Sequence, residues 1–345
     1  MNRTFRHLKN LLQSKGNDNN RRNGFDSVEW EVINTCNAKC WTCISWTESE
    51  NDAVLSFSKA SHIIDRLAEA GFTKVCFTGG EPMLRKDLFR LLALAKRKGF
   101  TTELVSNGLL INERKARLLV DSKLDILIVS IDAADPQLND RLRGIEGYHE
   151  LALAAVENIR TMRGNALPKV VLQATISNEN VEQLVPLAEL TLNSSIDGFH
   201  FRIAQDFKHS FYQVGTAQEI TDVKKKLLMK QIDIVMKQYK NILHKSMDEY
   251  QALRNAVKNV DSLNLHNSQE YDRILYIDAY GNVFSSSKKD MKLGNLVEDS
   301  VSAVFGGKNF DTDETNRNVD SVICVEKNST GTQNKLPAFA GTSIR

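Results

Sequence analysis

The chain has 345 residues, enough for one large domain and a smaller one, with a net charge of +2 and 26% charged residues. That balance gives no reason to expect nucleic acid or a charged membrane surface as partner. No segment approaches the roughly eighteen apolar residues of a membrane helix, so no membrane association is expected.

Residues 1–25 form a basic extension whose apolar core is only Leu8, Leu11 and Leu12, which falls short of the apolar run of a signal peptide. From Asp26 short apolar runs alternate with helix-period stretches, the pattern of βα units around a parallel sheet. The strand candidates are Val28–Asn34, Lys74–Thr78, Thr101–Ser106, Ile126–Ile131, Lys169–Ile176 and Gly198–Ile203. Apolar stripes at Ile63, Ile64, Leu67 and Ala68, and at Leu88, Leu91, Leu92 and Ala95, predict helices between them. Tyr148–Met162 and Val181–Leu192 predict two more. Six such units make a partial (β/α)6 TIM-like barrel over residues 26–215, whose active face lies at the C-terminal strand ends. Residues 216–306 read as a helical segment, Glu219–Val260, then a β-hairpin over Asp272–Phe284 with its turn at Ala279–Asn282. A turn at Gly294-Asn295 and a short helix over Glu298–Phe305 follow. The polar tail, 307–345, is expected to lack a packed core.

Three cysteines in one short loop, Cys36, Cys40 and Cys43, can bring three thiolates to one inorganic centre. A [4Fe–4S] cluster normally takes four cysteines, so three leave one iron open to a ligand. Zinc is the alternative, but it asks for a fourth cysteine or histidine nearby, and the nearest histidine is His62 on the next helix. Downstream, Gly79-Gly80-Glu81-Pro82 closes the second strand candidate. Glycine there allows close backbone approach to a ligand, and Glu81 can accept a charge-assisted hydrogen bond. Cys76, inside a strand, reads as a small buried hydrophobe. On the fifth and sixth strands Gln173 and Thr175, and His200 and Arg202, are polar pairs of common parity, facing either the barrel lumen or the helices.

The C-x3-C-x2-C spacing with Gly-Gly-Glu-Pro resembles the radical SAM superfamily. The resemblance implies one [4Fe–4S] cluster on Cys36, Cys40 and Cys43, with S-adenosylmethionine (SAM) on the open iron and Gly79, Gly80, Glu81 and Pro82 against its amino group. It also implies SAM contacts from Ser106 and Asn107 at the third strand end, and from Ser130 and Asp132 at the fourth. Arg143 resembles a family arginine that can pair with the SAM carboxylate; Thr175 and Arg202, by parity rather than resemblance, contact SAM if their side of the strands is the lumen. Thr42 stands where the family usually has an aromatic residue, with Trp41 one position earlier. Leu275–Phe284 with Leu293–Leu296 resembles the SPASM or twitch extension, but Ser286 takes the place of its first auxiliary-cluster cysteine and only Cys324 remains downstream. The function implied is an oxidoreductase that cleaves SAM to a 5′-deoxyadenosyl radical and abstracts hydrogen from a small-molecule or peptide substrate, with an external electron donor such as flavodoxin or ferredoxin. Ribosomal-peptide or protein maturation is one alternative; a non-catalytic iron–sulfur carrier or sensor is another. A low-potential cluster needs a reducing compartment, which points to the cytoplasm.

Overall fold

A computed structural model describes residues 27–43, 54–164, 166–204, 220–258, 274–285 and 292–305. The chain divides into compact units Met1–Phe310 and Asp311–Arg345, and all described residues lie in the first. The basic N-terminal stretch, Ser286 and Cys324 fall outside the described residues.

Six βα units are present. The strands are β1 (Ser27–Glu31), β2 (Lys74–Thr78), β3 (Thr101–Ser106), β4 (Ile126–Ser130), β5 (Lys169–Ile176) and β6 (Gly198–Ile203). Helices α1 (Phe57–Glu69), α2 (Leu88–Arg97), α3 (Glu113–Asp121), α4 (Pro136–Arg143), α5 (Tyr148–Arg163) and α6 (Leu184–Asn193) connect them. Next come α7 (Asp222–Gln238), α8 (Met247–Lys258), β7 (Ile274–Ile277), β8 (Asn282–Phe284), β9 (Lys292–Asn295) and α9 (Val301–Phe305). The first strand stops before the expected Asn34, because the chain bends at Val32 to become the cysteine loop. The expected turn at Gly294-Asn295 is instead the end of β9. There Leu296 donates its N–H to the Gly281 carbonyl (2.9 Å), so the segment pairs with the hairpin and the turn follows it.

The sheet order is β6-β5-β4-β3-β2-β1-β7-β8-β9, with parallel pairing from β6 through to β7. The C-terminal hairpin is therefore continuous with the barrel sheet: β7 pairs along the free edge of β1, Val28 opposite Leu275. The other edge, β6, is covered by the stretch after α7, where the Phe199 N–H donates to the Ile242 carbonyl and the His244 N–H to the Phe199 carbonyl.

Strand alternation divides the buried residues in two. Val28, Trp30, Val75, Phe77, Leu127 and Val129 pack outward against the helical stripes in the main core. The opposite face carries Glu29, Cys76 and Glu103 side by side on β1, β2 and β3, then a separate small apolar cluster of Ile126, Ile128 and Val171. Arg202 on β6 reaches Glu29 on β1 at 2.7 Å, although four strands separate them in the sheet. Only a sheet curled on itself brings those side chains together. This face is the lumen of an open, partial barrel. The parity left open for His200 and Arg202, and for Gln173 and Thr175, resolves to the lumen side.

Candidate active site

Strand β1 ends in the cysteine loop and β2 ends in Gly79-Gly80-Glu81-Pro82, so parallel pairing sets the two segments side by side. The Gly80 N–H donates to the Ile33 carbonyl and the Glu81 N–H to the Thr35 carbonyl, each at 2.8 Å. A Cβ on Gly79 would stand 2.1 Å from the Ile33 oxygen, and one on Gly80 2.1 Å from the Thr35 oxygen. The close approach that requires glycine here is thus to the cysteine loop itself. Gly79, at φ +139°, also adopts a conformation that side chains rarely take.

Glu81 is 1% exposed and accepts three hydrogen bonds: from the Met83 N–H (2.9 Å), the Ser106 hydroxyl (2.8 Å) and the Asn107 N–H (2.8 Å). Burial pushes its carboxyl above the usual range, and these donors pull against that rise. Asn107 also donates from Nδ2 to Asn37 Oδ1 (2.8 Å), between Cys36 and Cys40. One carboxylate and one amide thereby tie the β2 end, the β3 end and the cysteine loop together. Arg85, 3% exposed, donates to the Val32 and Leu55 carbonyls (2.8 Å each) and fixes the base of the same loop.

The far side of the loop rests on α4. The Trp41 N–H donates to the Leu142 carbonyl (2.8 Å), and a Cβ on Gly144 would meet the Lys39 oxygen at 2.4 Å. Between those contacts lies Arg143. Its Nη2 donates to Asp132 Oδ1 (2.8 Å), its Nε lies 2.8 Å from Asp132 Oδ2, and its Nη1 stands 3.8 Å from Cys40 Sγ. Asp132 accepts in addition from the Thr175 N–H (2.7 Å). The β4 end is held by two amides that sequence reasoning missed. Asn139 Oδ1 accepts from the Asp132 and Ala133 N–H groups, and Asn180 Nδ2 donates to the Asp132 and Thr175 carbonyls. Tyr148 donates its hydroxyl to the Ser130 carbonyl (2.9 Å). The missed residues all hold strand ends. A single Asn or Tyr in or beside a helix is their only sequence sign, and it is shared with many ordinary helices and turns.

The three cysteines are half-buried. Burial pushes the Cys36 thiol up to about 12 and raises Cys40 also. The Ala38 N–H points at Cys36 Sγ (3.4 Å) and the Arg143 guanidinium at Cys40 Sγ, donors that favour the thiolates iron requires. Among the described residues no three His, Cys, Asp or Glu side chains lie close enough to share one metal ion. A cluster makes a different demand, because each thiolate takes its own iron and the ligands stay further apart. Three coupled thiols, two of them with N–H donors aimed at sulfur, fit such a cluster.

Cys76 is buried but stands on the lumen face, between Glu29 and Glu103, rather than in the hydrophobic core. Its neighbourhood is charged. Lys74 pairs with Glu103 at 2.8 Å, and His244 approaches the same oxygen at 3.8 Å. Among the described residues, Glu29 Oε2 and Gln173 Oε1 are buried acceptors without a hydrogen-bond donor.

Residues 30–191 match the radical SAM superfamily. This part of the chain is a radical SAM domain. A Fe-coproporphyrin III synthase of Methanosarcina barkeri is 34% identical over 166 residues, which cover 47% of this chain and 40% of that protein. An AdoMet-dependent heme synthase of Oleidesulfovibrio alaskensis is 28% identical over 200 residues, 57% of this chain and 50% of that one. The chain thus matches half or less of these relatives' length. In fold, the chain resembles Streptococcus suis SuiB, solved with its precursor peptide SuiA, at a TM-score of 0.67 and 16% identity, covering 92% of this chain and 72% of SuiB.

Proposed function

We propose that the protein is a radical SAM enzyme carrying one [4Fe–4S] cluster on Cys36, Cys40 and Cys43. The observation that carries this reading is the mutual hydrogen bonding of the three-thiol loop and Gly79–Glu81 at adjacent strand ends. When bound, the cluster supplies the electron that cleaves SAM to a 5′-deoxyadenosyl radical able to abstract hydrogen from substrate; the donor of that electron is a reduced protein such as a flavodoxin or ferredoxin, in a reducing cytoplasm.

The chain's own residues prepare the site. Gly79–Pro82 and Asn107 form the rim where SAM is held, with Ser130 and Thr175 on the lumen side of the β4 and β5 ends. Asp132 pairs with Arg143, and Arg202 with Glu29, so these charges order the rim and the lumen wall. The substrate lies in the lumen, beside a pocket lined by Glu29, His200, Arg202, Lys245, Tyr250 and Tyr276. The undonated oxygens of Glu29 and Gln173 favour a substrate that presents N–H or O–H groups, a peptide amide or an amine. The tetrapyrrole names of the sequence relatives keep a small-molecule substrate as the second reading.

Anaerobic reconstitution followed by dithionite and SAM is the test. We expect 5′-deoxyadenosine from the wild type and none from the Cys36/Cys40/Cys43 triple alanine variant. A cluster-loaded wild type that leaves SAM intact would assign the protein to non-catalytic electron transfer or sensing.

A further inference from the structure

We propose that Arg143 raises the reduction potential of the cluster by donating to the sulfur of Cys40, and that Asp132 sets how much of its positive charge the cluster feels. This rests on the cluster reading above.

Arg143 is 9% exposed, and its guanidinium is held from three directions. Asp132 grips it through Nη2 and Nε, the Tyr148 ring lies 5.6 Å below Cζ, and Nη1 is left facing Cys40 Sγ at 3.8 Å. Its backbone is fixed as tightly, since the Leu142 carbonyl accepts from Trp41 and Gly144 abuts Lys39. Arg143 therefore meets the sulfur in one geometry, without rotamer freedom to lose on cluster binding. Hydrogen bonds and charge around ligating sulfurs are among the main controls on an iron–sulfur potential. Reduction adds negative charge, so a cation in contact with a thiolate ligand favours the reduced form, the more so in a buried site. Asp132 opposes that effect from one residue further away. It binds the face of the guanidinium that does not meet sulfur, and its own charge is shared with the Thr175 N–H.

The two partners should therefore move the potential in opposite directions. Redox titration of the reconstituted holoprotein without SAM, followed by electron paramagnetic resonance of the reduced cluster, reads it directly. Arg143→Met should shift the potential to lower values, Asp132→Asn to higher values, and Arg143→Lys should recover part of the Arg143→Met loss. SAM affinity, measured on the same samples by the spectral change on titration, should fall much less than tenfold in Arg143→Met. An unchanged potential in that variant, or shifts of the same sign in both, overturns the proposal. So does a lost SAM affinity at constant potential, which would make Arg143 a ligand of SAM instead. Should Arg143→Met fail to hold its cluster, Arg143→Lys and Asp132→Asn decide: a potential that does not rise in Asp132→Asn overturns it. A wild type that loads no cluster sinks the functional reading itself, a different failure from an unshifted potential.

Discussion

Glu81 shows how one buried carboxylate can hold a site together. It answers three donors from two strand ends, and no neutral side chain of the same shape can do so. A glutamine would present an N–H2 group to one of those donors and leave it unpaired. Glu81→Gln should therefore lower the stability of the cluster-free protein by about 1–3 kcal/mol, the cost of an unmade buried hydrogen bond. Urea denaturation of the apo-protein measures this, and equal midpoints for variant and wild type would remove Glu81 from the framework. SAM affinity should fall as well, because the rim it binds is loosened. Arg143 repeats the lesson. The family resemblance implies an arginine able to pair with the SAM carboxylate, and the fold also pairs it with Asp132 and sets it against sulfur.

At the scale of elements, α7 and α8 bring a second set of titratable groups to the barrel. Tyr250 on α8 reaches His200 Nδ1 (3.2 Å), and His244, between the helices, lies against Glu103. Burial holds His200 well below, and His244 below, the usual histidine range; Glu103 is held well below the carboxylate range, chiefly by Lys74 against the cost of its own burial. A histidine with a depressed folded pKa takes its proton in the unfolded chain first, so stability falls as pH drops below about 6.5. Glu103 adds its own loss below about 4.5 on the same argument. Each histidine contributes up to about 1.4 kcal/mol per pH unit in that window. Chemical denaturation between pH 7 and pH 5 should show this slope, and His200→Gln should reduce it by about one proton's worth. An identical slope in the variant would mean that His200 protonates while folded. Sequence alone could not place these groups. Period-two parity puts His200 and Arg202 on one face of β6, but the identity of that face depends on the curl of the whole sheet. The curl is visible only once Arg202 meets Glu29.

For the whole molecule, the six βα units, the cysteine loop and the Gly-Gly-Glu-Pro turn were legible because each has a local cause. Alternating apolar runs make strands, close backbone approach demands glycine, and three thiols in one loop can meet at one inorganic centre. The hold of Asn180 on Asp132 and the path of β7 were not, since each depends on partners distant in sequence. With Ser285–Ser287 where an auxiliary cluster would begin, reconstitution should give about four irons per chain, the content of one cubane. Iron and sulfide analysis checks it, and about eight would place a second cluster beyond Cys36, Cys40 and Cys43.

The pairing of β1 with β7 has a consequence for the order in which the protein is made. The strand that leads into the cysteines leaves the ribosome well before one of its two neighbours, β7, at Ile274–Ile277. Until that late segment emerges, Ser27–Glu31 is an exposed sheet edge, open to wrong partners and slow to settle. A nascent chain halted before Ile274 should hold its barrel helices but load iron poorly. The hairpin that supplies Tyr276 to the lumen pocket is thus also the piece that closes the β1 edge leading into the cysteine loop.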